Sequence, residues 1–240
     1  MICWVNPTSP VAKAIRDMKY GILFSTVAVL LAMAAFTQGS WFLLLLWPTM
    51  SFAIVASGYI RFGPRVYGKS RSGVLSSINT LFLLPFLLNL WAVWYAVRVF
   101  RREHAFDQLT EHIYIGRRLM GHEFPKNIDH VIDLTCEFTE PKELRSVNYV
   151  SCQILDGFVP SPPQLQSWVA DAARLSGNIY IHCAEGHGRT GLFAAALLLQ
   201  RGDFNTAEDA LNYVKSKRPR VRLGKRQLAT LASTEANQIG

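Results

Sequence analysis

Charge is what long stretches of this 240-residue chain lack. No Asp, Glu, Lys or Arg occurs between Tyr20 and Ile60, and none between Ser72 and Val97. Acid is scarce throughout the first part. Residues 1–103 hold two acidic side chains against ten basic ones, while residues 104–240 hold fifteen of each, so the whole formal charge of +8 belongs to the first part. The high isoelectric point therefore gives no reason to expect nucleic acid as a partner. No Gly-Lys-Ser/Thr triplet is present, which excludes a Walker-type nucleotide loop. Cysteine is also sparse. Cys3, Cys136, Cys152 and Cys183 show no disulfide-like spacing, which suits a reducing compartment.

The uncharged runs are long. Forty residues of helix measure roughly 60 Å, about twice a bilayer core of roughly 30 Å. Two helices near 20–37 and 41–60 are predicted, separated by Thr37-Gln38-Gly39-Ser40. A third apolar segment near 74–97 ends in Trp91, Trp94 and Tyr95, residue types suited to a membrane interface. The first helix is too long, and too closely followed by the second, to be a cleaved signal peptide. A soluble buried hairpin is rejected because the other 137 residues could not cover so much apolar surface. The reading is a multi-pass integral membrane protein with the lipid bilayer as partner: an all-α membrane region over 1–103 and a second domain over 104–240.

Basic clusters flank the segments: Lys13, Arg16 and Lys19; Arg61, Arg65, Lys69 and Arg71; Arg98, Arg101 and Arg102. The positive-inside rule places all three clusters in the cytoplasm, which three full crossings cannot satisfy. Either the third segment enters and returns, bending at Pro85 beside Asn79 and Asn89, or the rule is broken once.

The densest chemistry lies in His182-Cys183-Ala184-Glu185-Gly186-His187-Gly188-Arg189-Thr190-Gly191. The apolar run Asn178 to Ile181 leads into the cysteine, and a helical run from Leu192 to Leu199 follows. Strand, cysteine, glycine-bearing loop, arginine and helix are what a phosphate-binding thiolate needs. Loop N–H groups converge on an anion at a helix start. The same field favours thiolate over thiol, and an arginine fork grips two phosphate oxygens at once. A buried structural cysteine is the bland alternative. A zinc site from His182, Cys183 and His187 lacks a second Cys/His pair at ligand spacing.

His182-Cys183, five residues, Arg189-Thr190 resembles the signature of the cysteine-dependent protein tyrosine phosphatases, and the compact flanks look most like the dual-specificity branch. The resemblance covers roughly residues 110–232. It takes in Ile113-Tyr114-Ile115-Gly116, Val131-Ile132-Asp133-Leu134, and Arg218-Pro219-Arg220-Val221 with Gln227 after it. It implies that Cys183 is the nucleophile and that Arg189 binds phosphate with the loop residues Ala184, Glu185, Gly186, His187 and Gly188. No metal or cofactor is implied.

Expulsion of an alkoxide or phenolate needs a general acid. Between Arg145 and Trp168 the only carboxylate is Asp156, in an Asp-Gly turn followed by prolines, and the resemblance places its acid on such a loop. Thr190 reads as an N-cap-like hydroxyl, and the resemblance gives it a hydrogen bond to the sulfur. His182 is read as orienting the loop through a backbone contact. Gln227 carries two readings, positioning the hydrolytic water or lying solvated on a helix face.

Lipid-directed relatives tend to carry lysines in the loop where this chain has Ala184, Glu185 and His187. Glu185 disfavours multiply phosphorylated substrates unless it points away. The expected activity is hydrolysis of phosphate monoesters on phosphotyrosine, phosphoserine or phosphothreonine proteins through a phosphocysteine intermediate, with a cytoplasmic catalytic domain. A phospholipid-headgroup phosphatase is the enzymatic alternative, and a phosphate-binding pseudophosphatase or membrane scaffold the non-enzymatic one.

The catalytic part reads as α/β, a mixed sheet flanked by helices. Strands are predicted near 112–116, 130–134, 147–154 and 178–183. A helix is expected to open at Ser161-Pro162 and another at Thr206, with Asp209 three residues on. The basic run Lys215 to Arg226 reads as a solvated face, or as a patch resting on anionic lipid or flanking an acidic substrate.

Overall fold

The computed structural model describes residues 19–236; Cys3, Lys13 and Arg16 lie outside the described residues. Among the described residues, three helices are long and apolar enough to cross a membrane: Lys19–Gln38, Ser40–Tyr67 and Ser77–Phe100. The chain divides into two compact units. One takes the chain up to Gly68 and Ser76–Val93; the other takes Lys69–Leu75 and everything from Trp94 onward.

In the first unit, helix α1 (Lys19–Gln38) ends where Gly39 and Ser40 both adopt positive φ, which turns the chain. A 3₁₀ turn (Ser40–Leu45) then runs into α2 (Leu46–Ser57). Gly21 packs tightly on Ile60, and Phe24, Phe52, Tyr59 and Phe86 form a ring cluster. The segment near 74–97 is one unbroken helix, α3 (Ser77–Phe100), so the chain does not turn back at Pro85.

The reason is local. Proline lacks the N–H that would bond the carbonyl of Leu81. The indole N–H of Trp47 donates to that carbonyl at 3.0 Å, and Ser51 Oγ accepts from the Phe86 N–H at 3.2 Å. Side chains thus replace what the proline removes, as an apolar environment demands.

In the second unit a five-stranded sheet has the order β1-β2-β5-β3-β4. Its strands are β1 (Phe106–Gln108), β2 (Ile113–Arg117), β3 (His130–Asp133), β4 (Asn148–Ser151) and β5 (Ile179–Cys183). Only β1–β2 is antiparallel. The four strands expected from sequence are present, with β4 shorter than 147–154; β1 was not expected. β5 is central and buried at every residue, as befits a continuous apolar run inside a parallel sheet.

Helix α4 (Lys142–Arg145) precedes β4, and α5 (Pro162–Ala173) opens behind Ser161 as predicted. Helix α6 (Gly188–Arg201) is buried from Arg189 to Leu199, so β5 and α6 together form the centre of the core. In α7 (Ala207–Lys217), Thr206 Oγ1 accepts from the Asp209 N–H at 3.1 Å. Helix α8 (Lys225–Ala236) closes the described chain.

Candidate active site

β5 delivers Cys183 to the sheet's carboxyl edge, and the loop from Ala184 to His187 turns directly into α6. Gly186 makes this turn possible. Its φ is 76°, and a Cβ there would enter the backbone of Gly116. The Gly186 N–H donates to Cys183 Sγ at 3.2 Å, the contact a sulfur anion would accept.

Thr190 is not the cap. The helix starts at Gly188 with His187 in the N-cap position, so Thr190 falls inside the first turn. Its buried hydroxyl has no hydrogen-bond partner among the described residues.

Arg189 is buried and held from one side. Glu137 accepts from its two terminal nitrogens at 2.7 and 3.1 Å, and Ile154 O accepts at 2.9 Å. Burial alone would raise the Glu137 pKa, but the guanidinium overcomes it and holds the carboxyl below its usual range. Asp156 reaches the same guanidinium at 3.2 Å while its own side chain stays 73% exposed. The structure therefore brings Cys183, Arg189 and Asp156 to one mouth. The Gln227 side-chain amide lies against Gly188, where an added Cβ would meet Nε2 at 3.2 Å, and Gln227 Oε1 accepts from the Gly224 N–H.

Glu185 points to Arg101 at 2.5 Å and to His187 at 3.5 Å. The bond from His187, opposed by burial and joined by Arg101, lowers its pKa to about 2. Its charge is thus matched by neighbours. His182 stacks on Tyr180 with Nδ1 3.9 Å from Asp133 Oδ1, and burial lowers its pKa to about 4. A neutral imidazole follows at neutral pH.

The basic run does not behave as one solvated face. Arg218 is fully buried and braces the outside of the loop, donating to Gly186 O at 2.8 Å and to Asp107 Oδ2 at 2.6 Å. Loop amides turned toward an anion leave loop carbonyls facing outward, and a buried guanidinium satisfies them. Trp94 does the same for Ala184 O at 2.9 Å.

Sequence reasoning missed Glu137, Arg218 and Trp94. For Glu137 one signal existed. It stands four residues past the end of an apolar strand, and a carboxylate buried there must find a cation, because an unpaired buried charge is too costly.

Residues 122–237 match the family described as "Dual specificity phosphatase, catalytic domain". A curated relative, the tyrosine-protein phosphatase CDC14 of Candida albicans, is 26% identical over 116 residues, which are 46% of this chain and 21% of that protein. The chain thus spans about a fifth of that relative's length. Among solved structures, PTPMT1 in complex with PI(5)P superposes with a TM-score of 0.51 at 19% identity, covering 56% of this chain and 96% of that one. A mutant form of Tk-PTP gives 0.50 at 24% identity, covering 56% and 97%. Both likenesses speak for the fold. The match lies in the C-terminal domain: residues 122–237 resemble the catalytic domain of the cysteine-dependent, dual-specificity phosphatases.

Proposed function

We propose that the protein is a membrane-anchored phosphatase that hydrolyses phosphate monoesters on phosphotyrosine, phosphoserine or phosphothreonine proteins through a phosphocysteine intermediate. One observation carries the reading: in the loop where the Gly186 N–H donates to Cys183 Sγ, the Arg189 guanidinium is held by buried Glu137 and reached at 3.2 Å by the exposed Asp156. Cys183 Sγ attacks phosphorus as the P–O bond to the leaving group breaks. Arg189 and the loop N–H groups take the charge on the phosphoryl oxygens. Asp156 gives its proton to the departing oxygen and then takes one from the water that cleaves the S–P bond, releasing inorganic phosphate. Gln227, whose amide lies beside Gly188, holds that water in this reading.

The membrane reading rests on the three apolar helices. A thiolate survives best in a reducing compartment, which favours a cytoplasmic catalytic domain. With α3 unbroken, three crossings break the positive-inside rule once.

A phospholipid-headgroup phosphatase is the second reading. The bond from Trp94, near the end of apolar helix α3, to Ala184 in the catalytic loop favours it. PTPMT1, similar in fold and solved in complex with PI(5)P, points the same way. The test is a side-by-side assay of phosphopeptides and lipid phosphate monoesters with the purified protein and its Cys183→Ser variant. Phosphate release from peptides, lost in the variant, supports the first reading. Release from lipids alone supports the second. Undiminished turnover in Cys183→Ser overturns both.

A further inference from the structure

The segment joining the second and third apolar helices carries a lysine that ends up inside the catalytic unit. Lys69 to Leu75 folds as a short hairpin, with Ser70 and Gly73 closing the turn and Gly73 at φ 80°. The Lys69 side chain has no solvent exposure. Its ammonium donates to Asp133 Oδ2, to Thr135 Oγ1 at 2.9 Å and to Thr135 O at 3.2 Å, and Glu140 Oε1 lies 3.9 Å away. Ligand atoms of Asp133, Glu140 and His182 lie within 4.8 Å of one another, a grouping that could hold a metal ion. Here the lysine supplies the cation.

The hairpin backbone is bonded just as closely. Gln153 Nε2 donates to Lys69 O, the Glu140 N–H to Gly73 O, and the Leu75 N–H to Thr139 Oγ1, at 2.9 to 3.0 Å. These partners sit on the two stretches that frame the candidate active site. Asp133 Oδ1 accepts from the Thr135 N–H and hydroxyl at 2.7 and 2.8 Å. That turn leads to Leu134 O and Glu137, both partners of Arg189, and Gln153 immediately precedes Ile154, whose carbonyl Arg189 also uses.

We infer that Lys69 is a positioning residue of the phosphatase centre: seated in the Asp133–Thr135–Glu140 cluster, it fixes the two stretches that hold Arg189. The catalytic unit is then complete only with the hairpin in place. The inference rests on the proposed phosphatase reading. A neutral side chain at 69 leaves Asp133 without its cation and releases the turn, while the mouth residues Cys183 and Asp156 remain. Substrate still binds, but the guanidinium is misplaced for the transition state, a displacement that can cost on the order of 10²-fold in rate.

The experiment uses the full chain in detergent micelles with an aryl phosphate as probe. Lys69→Met is expected to lower kcat on the order of 10²-fold with KM within about threefold. Lys69→Arg, which keeps the cation, is expected to recover part of the loss. Gly73→Ala unseats the same hairpin while keeping the lysine, because its Cβ would lie 2.6 Å from Tyr149 Oη, the hydroxyl that donates to Asp133 Oδ2. It is expected to show the same kcat-selective loss, and it decides the matter if Lys69→Met does not fold. Wild-type kcat in a folded Lys69→Met or Gly73→Ala protein, or a change in KM alone, overturns the inference while leaving a Cys183-dependent activity standing. No turnover by the wild-type protein overturns both.

Discussion

Glu137→Gln is the substitution that probes the site most deeply without touching a reacting group. It keeps the shape and one acceptor but removes the charge that faces Arg189. Glu137 and Arg189 share two short bonds at 2.7 and 3.1 Å, and their side chains are only 3% and 2% exposed. Solvent cannot replace the lost partner. Breaking a buried ion pair by removing one partner costs about 3–5 kcal/mol, and the retained amide oxygen argues for the lower end. At about 2–4 °C per kcal/mol for a unit of this size, a loss of about 3 kcal/mol lowers Tm by roughly 6–12 °C. The assay is thermal unfolding in detergent with aryl phosphate turnover on the same samples, where kcat is expected to fall more than KM rises. Asp171→Asn is the control. Its pair with Arg174 spans 3.6 Å with side chains 72% and 80% exposed, and such pairs contribute little. Glu137→Gln melting within about 2 °C of wild type, with unchanged kcat, would refute the reasoning.

Other predictions follow from the same geometry. Asp156→Asn is expected to slow hydrolysis by roughly 10²–10⁴-fold. The loss shrinks for phosphates whose leaving group needs no proton, and an equal loss for every leaving group would reject the general-acid role. Burial and the neighbouring Asp133 raise the Glu140 pKa to about 7 against the pull of Arg118 and Lys69. Its folded form therefore holds a proton that the unfolded chain releases near pH 4.5, so this contribution is full below that pH and is lost as pH rises through about 7. Glu140→Gln cannot lose a proton, and its Tm relative to wild type is expected to climb between about pH 5 and 8; a flat difference would contradict this. Ser51→Ala strands the Phe86 N–H beside Pro85 and is expected to cost about 1–3 kcal/mol, read as a lower midpoint of unfolding in detergent.

Much of the site was legible in the sequence because its chemistry is local. Cys183, the two loop glycines and Arg189 lie within one turn between a strand and a helix, so spacing alone brings them together. Asp156 was legible for a weaker reason, as the lone carboxylate in a turn-forming stretch, and the structure puts it 3.2 Å from Arg189. The supporting residues were not legible, because each acts across a long loop. Glu137 lies 52 residues from Arg189, and Lys69 lies 64 residues from Asp133. A charge run told nothing of Arg218, since burial of a single guanidinium depends on loop carbonyls that only the fold presents. Strand β1 was missed because three residues show no period. The membrane segments were legible by length, but the integrity of α3 depended on Trp47 and Ser51 serving the backbone around Pro85.

The most direct test of the central claim is acid quenching during turnover of an aryl phosphate, followed by mass spectrometry of the peptide that carries Cys183. A phosphoryl adduct on Cys183, enriched in Asp156→Asn and absent from Cys183→Ser, is the predicted result. Steady turnover with no adduct on Cys183 in any variant, or an adduct on another residue, would contradict it.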